Sequence, residues 1–181
     1  MSKPTRYHPF LVVIHWTSAL LIVFMLLFGT FFLARIPNDA SKLPFLAIHA
    51  FTGIIILVLT VTRFIIRLAT PSPERATTGN KFLDFIATAT HWLLYLGAFG
   101  MGVSGLGIAL QSGLFQMVLS GNWTMTGGFY IYPPRIGHHY IALALDAIIL
   151  LHIGAALFHQ IIRKDNLFAR MSFGRKGKAR S

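Results

Sequence analysis

Apolar residues run almost unbroken through four stretches of this chain, near residues 10–33, 44–68, 83–110 and 138–162, with polar and proline-bearing segments between them. Each stretch supplies the roughly 20 helical residues that a bilayer core requires. The pattern predicts an all-α fold, an integral membrane four-helix bundle in which residues 1–181 form a single transmembrane domain. Lys3 and Arg6 precede the first stretch much as they would a secretory signal. Its apolar run is too long for a signal core, however, and Arg35-Ile36-Pro37-Asn38-Asp39 is no small-residue cleavage site, so a retained helix is expected.

Composition supports this reading. The chain is 55% hydrophobic and 12% charged, whereas soluble domains carry about 25% charged residues. It has no cysteine, which excludes disulfides, thiolate-bound iron–sulfur clusters and thioether-attached haem, and leaves histidine as the natural ligand for a buried metal or haem.

A net charge of +11 would suit nucleic acid, but its distribution argues otherwise. Lys3, Arg6, Arg63, Arg67, Arg75, Lys81, Arg163, Lys164, Arg170, Arg175, Lys176, Lys178 and Arg180 fall at the amino end, the second connection or the tail; only Arg35, Lys42 and Arg135 fall on the other side. This asymmetry predicts that both termini are cytoplasmic. The basic tail, residues 173–181, is expected to fix topology and to touch anionic lipid headgroups.

Histidines carry the candidate chemistry. His138 and His152 in the fourth span are fourteen residues apart, hence about 40° apart on one face and roughly 21 Å along the axis, with His159 roughly 20° further round. That distance rules out one shared metal ion and suggests two stacked haems. His15 lies one turn inside the cytoplasmic end of the first span, and His49 near the outer end of the second. Depth therefore pairs His15 with His152 and His49 with His138, two bis-imidazole sites that add no charge to the hydrocarbon. A lone membrane histidine is often a hydrogen-bonded packing residue, but five in one small bundle make a functional site the default.

His139, about 100° from His138, is the rival for the outer site and leaves the interior face. His91 is an alternative ligand to His15 or His152, and otherwise flanks the inner centre with His159, where both suit proton exchange with a quinone. Gly29 clears room for a flat group and Gly53 lies on the face of His49. Arg63 is expected to find a partner inside the bundle, such as a haem propionate or a quinone headgroup, while Arg67 either does the same or snorkels to lipid phosphates. Gly97, Gly100, Gly102, Gly105 and Gly107 permit close helix approach. His8 reads as a solvated surface residue, Asp146 as a buried acid that is either a hydrogen-bonded interior residue or a proton-handling group. The aromatics of loop 111–135 are expected either to dip into the membrane interface or to lid the outer end, and Asn122-Trp123-Thr124 matches a glycosylation sequon by composition alone.

Ile14-His15-Trp16, Ile48-His49 with Gly53, His91-Trp92 with Tyr95, the His138-to-His152 spacing, and His159 followed by Lys164-Asp165-Asn166 together resemble the bacterial cytochrome b561 family. The resemblance covers nearly the whole chain. It implies a membrane cytochrome b with two haem b groups, ligated at His15, His49, His138 and His152, and it extends to the cytochrome b subunits of hydrogenases and formate dehydrogenases. Compact members resemble superoxide oxidases, which oxidise superoxide at the periplasmic face and reduce ubiquinone. Loop 111–135 and Asp146 depart from the pattern.

The expected function is transmembrane electron transfer from a periplasmic donor, through outer and inner haems, to a quinone, with Arg35, Lys42 and Arg135 lending the outer rim a positive field that steers an anion. One alternative is the membrane anchor of a dehydrogenase or hydrogenase, taking electrons from a redox partner protein. A second is a haem-free proton or metal transporter.

Overall fold

A computed structural model describes residues 4–74 and 77–172. Lys3, Arg75 and the basic tail, residues 173–181, lie outside the described residues. Four helices are long and apolar enough to cross a membrane: Pro9–Arg35, Ala40–Ala69, Lys81–Gln111 and Pro133–Arg163. No described residue is in a strand.

Each helix begins where its sequence supplies a start. In α1 (Pro9–Leu27), Pro9 fills a first-turn position that needs no N–H, and His8 Nδ1 accepts from the Phe10 amide at 3.3 Å. Pro44 does the same for α2 (Leu43–Ala69). Asn80 caps α3 (Lys81–Gln111), accepting from Phe82 N at 2.9 Å and Leu83 N at 3.4 Å. After a seven-residue α4 (Leu114–Ser120), the pair Pro133-Pro134 opens α5 (Pro133–Leu157). α1 and α5 each run on into a wide π turn, Phe28–Phe32 and Phe158–Arg163. A short α6 (Leu167–Arg170) follows.

α1 packs beside α2, α2 beside α3, and α3 most extensively beside α5. The last contact runs antiparallel on a glycine stripe. Added Cβ atoms would meet Leu145 Cδ2 at 2.7 Å from Gly97, Ile141 Cδ1 at 3.4 Å from Gly100, His138 Cε1 at 3.2 Å from Gly105 and Pro134 Cγ at 3.3 Å from Gly107. Gly102 faces α2 instead, where its Cβ would lie 2.8 Å from Leu57 Cβ. The predicted role of these glycines in helix approach is thus met position by position. Large apolar side chains such as Leu20, Leu68, Phe85, Leu96 and Leu150 point outward, a surface suited to lipid.

The two ends of the bundle differ. At one, Trp16 Nε1 donates to Met171 O at 2.7 Å, Tyr7 N to Arg170 O at 3.2 Å, and Arg163 to Thr78 O at 3.3 Å, tying the amino-terminal arm, the second connection and α6 together. This is the terminal end. At the opposite, loop end, Leu33, Leu43, Leu46, Ala109, Leu114, Met117 and Met125 form a packed apolar cluster, flanked by Trp123, Phe129 and Tyr132. The loop of residues 111–135 therefore does lid the bundle, but through a helix that alternating turn residues concealed: α4 is bracketed by Gly113 and Gly121, both at positive φ.

One expectation fails here. Lys42 is no rim charge; it is 6% exposed, and its Nζ donates to Ile36 O at 3.0 Å and Asn38 Oδ1 at 2.8 Å. An ammonium so enclosed braces the loop from inside rather than presenting its field to solvent.

Candidate functional site

The four histidines singled out from spacing meet as two pairs. At the loop end the rings of His49 on α2 and His138 on α5 have centroids 6.2 Å apart at 64°. At the terminal end those of His15 on α1 and His152 on α5 are 6.5 Å apart at 78°. An imidazole nitrogen lies about 2 Å from a bound first-row metal and about 1 Å from its ring centre, so two rings on opposite sides of one iron have centroids about 6 Å apart. Both pairs meet that spacing. Among the described residues, no group of three or more His, Asp or Glu side chains is placed to hold a metal ion. Two-fold donor sets suit an iron whose remaining positions are filled by a macrocycle.

Hydrogen bonding separates these rings from packing histidines. His15 Nδ1 and His49 Nδ1 are buried and have no partner among the described residues. A histidine kept for packing is normally satisfied. His138 is held differently: Ser104 Oγ donates to Met101 O at 3.1 Å and lies 3.0 Å from His138 Nδ1. With its proton committed to the carbonyl, the hydroxyl accepts from Nδ1–H, which leaves Nε2 as the free donor atom on the ring. Glycines give both loop-end rings space, for a Cβ at Gly29 would stand 3.2 Å from His49 Cε1, and one at Gly105 the same distance from His138 Cε1. A Cβ at Gly53, one turn beyond His49, would meet nothing within 4 Å.

Other candidates separate by position. His91 packs edge-on against His152 at 5.2 Å, closer than a shared iron allows, and its Nδ1 is 2.7 Å from Ala87 O, so that nitrogen donates to the preceding turn. His139 is exposed beside Tyr140, away from the pairs. Arg63 lies 5.2 Å over the Tyr95 ring of α3, a partner the expectation did not name, and that ring also packs on Phe64. Arg67 stacks over Tyr7 at 5.1 Å. His159 is 9% exposed and bonded through Nδ1 to Asp165 Oδ2 at 2.6 Å. Asp146 is half-buried.

Sequence reasoning passed over Ser104 and gave Asp165 no role of its own. Ser104 had a signal: it is the one hydroxyl among Gly100, Gly102, Gly105 and Gly107, at the depth of His138. Asp165 stood within the pattern that carries the family resemblance, but only the backbone turn shows that it comes back six residues onto His159.

Comparison with known proteins identifies relatives of the whole chain. The chain is 26% identical over 180 residues to the "Probable superoxide oxidase CybB" of Yersinia pestis, covering 95% of this chain and 98% of that one. It is 25% identical over 184 residues to "Cytochrome b561 homolog 2" of Escherichia coli (strain K12), covering 94% and 93%. To "Cytochrome b562" of Cereibacter sphaeroides it is 27% identical over 176 residues, covering 94% and 98%. The family model for prokaryotic cytochrome b561 matches residues 6–174, all four membrane helices included. The chain belongs to the prokaryotic cytochrome b561 family of bacterial haem-binding membrane proteins.

Proposed function

We propose that this chain carries electrons across the bacterial inner membrane through two haem b groups, from a periplasmic donor to a membrane quinone. The carrying observation is the pair of imidazole couples, 6.2 Å and 6.5 Å between centroids, one at each end of α5. His49 and His138 would hold the outer group, His15 and His152 the inner one. Both sites are made of neutral rings from different helices, and the open position at Gly53 together with the orphaned Nδ1 atoms of His15 and His49 fits a flat ligand seated between them. When bound, the haems supply one-electron redox chemistry; the protein supplies ligands, a dry path and orientation.

On this reading both termini are cytoplasmic, as the basic residues require. The described arms meet at one end of the bundle, which is consistent with an even number of spans. Superoxide is the donor that fits the likeness to the Yersinia pestis protein. The outer rim keeps Arg35 and Arg135 for steering an anion, Arg135 stacking over Tyr130 at 4.6 Å. Arg63, His91 and His159 flank the quinone or the inner propionates at the terminal end. Gly29 serves the outer group indirectly, by seating the His49 ring.

Stopped-flow mixing tests the reading: superoxide reduces the haems of the purified protein, and ubiquinone reoxidises them. Intact haems that superoxide does not reduce would move the chain to the membrane anchor of a larger dehydrogenase. Protein without haem would leave a transporter.

A further inference from the structure

The end of the last span is built in an unusual way. α5 widens into the π turn Phe158–Arg163, and the chain then places Lys164 and Asn166, neither of them glycine, at φ 56°. Wide π turns and left-handed non-glycine residues are strained conformations that persist where surrounding structure and function hold them. Both flank one residue, Asp165, and their joint effect is to fold it back onto its own helix. Asp165 N donates to His159 O at 3.3 Å, and Asp165 Oδ2 lies 2.6 Å from His159 Nδ1. The carboxylate accepts, so Nδ1 carries the proton and Nε2 is free to give or take one.

Two further acceptors lie in this turn. Asp165 Oδ1 and Gln160 Oε1 are buried with no donor among the described residues. Buried oxygens in this state call for a hydrogen-bond donor. His159 itself follows His152 by seven residues on the same face, roughly 10 Å nearer the terminal end.

From these placements we propose that Asp165 and His159 form a proton-transfer dyad serving an organic electron acceptor, such as a quinone, at the terminal end of the bundle; the proposal rests on the acceptor reading above. A quinone takes two electrons, delivered singly from the inner site, and two protons to become a quinol. The His159 imidazolium gives its Nε2 proton to a quinone oxygen as that oxygen gains charge, and the neutral ring regains a proton from the aqueous end. Asp165 is the positioning residue: it fixes the tautomer and stabilises the imidazolium. Among the described residues, the other charges near the dyad are Arg163, 3.9 Å from Asp165 Oδ2, Asp84 at the start of α3, which feels both His159 and Arg163, and Lys164, the sequence neighbour of Asp165.

The experiment uses the haem-loaded protein with a short-chain ubiquinone. Asp165→Asn keeps the shape and removes the charge, and should slow quinone-driven reoxidation at least about tenfold, with a solvent deuterium effect and an altered pH profile, while haem content and spectra stay unchanged. His159→Gln should match it, the double variant should add nothing, and Asp165→Glu should recover part of the rate. Nitrogen-15 spectra of histidine in the haem-free protein should show His159 protonated at Nδ1, and lose that signature in Asp165→Asn. Reoxidation of Asp165→Asn at the wild-type rate and with its pH profile overturns the dyad alone. Failure of ubiquinone to reoxidise the wild-type haems overturns the acceptor reading and the dyad with it. If Asp165→Asn fails to fold, Asp165→Glu and His159→Gln carry the same comparison, and equal wild-type rates in both overturn the proposal.

Discussion

Ser104 on α3 fixes the ring of His138 on α5: its hydroxyl gives its hydrogen to Met101 O and takes the one on His138 Nδ1, 3.0 Å away. The neighbouring Gly105 lets that ring approach α3, since a Cβ there would lie 3.2 Å from Cε1. The free Nε2 then serves the space shared with His49.

Removing one imidazole from each couple separates the two sites. His138→Ala and His152→Ala should each lower the haem-to-protein ratio by about half, and the double variant should retain almost none. Pyridine haemochrome assays on the purified proteins measure this. Unchanged ratios in both single variants would sink the two-site assignment.

Glycine substitutions should divide by what they meet. Gly102→Ala drives a Cβ to 2.8 Å from Leu57 Cβ, an atom close to the backbone of α2 that cannot swing aside. A cost of about 1–3 kcal/mol is expected, read from detergent unfolding of the haem-free protein. Gly53→Ala meets nothing within 4 Å. It should leave the haem-free protein as stable as before while weakening haem retention, because its open side is the one where the flat ligand is proposed.

Lys42→Met keeps the length of the side chain and removes its ammonium. Ile36 O and Asn38 Oδ1 lose a donor inside the folded loop, and the expected cost is about 1–3 kcal/mol. Amide exchange should accelerate over residues 36–43 and stay unchanged in α5. Superoxide reactivity should change little, since this cation does not face the solvent.

Asp39 caps the turn Ala40–Lys42, and the Ser41 hydroxyl, then the Ser41 amide, hold its carboxyl below the ordinary value of 3.8. A carboxyl depressed in the folded state lends its stability above the unfolded value and loses it as pH falls through the folded one. The Ser41 amide should therefore stay protected at neutral pH and begin to open only below about pH 4, as followed by exchange or amide NMR. In Asp39→Asn that transition should vanish.

The number and place of the four spans were legible because lipid imposes a one-dimensional rule: every crossing segment must be helical, apolar and long enough. The histidine faces were legible for a similar reason, since residues fourteen apart on a regular helix share a side whatever surrounds them. His15, His49, His138 and His152 needed only depth to be matched, and the folded chain brings those matched rings within 6.5 Å of each other.

Regularity ends where helices end, and there the sequence lost its grip. α4 is too short to show a period, Lys42 reads as a surface charge until Ile36 and Asn38 enclose it, and Ser104 cannot be told from a packing residue without α5 beside it. Asp165 reaches His159 only through a π turn and two left-handed residues. The sequence by itself determined the spans, their apolar faces and the depth of each imidazole, because those follow from helix geometry and the bilayer. Tertiary structure alone decided which hydroxyl, glycine and carboxylate attend each imidazole, because these contacts depend on which helices meet and how the chain turns between them.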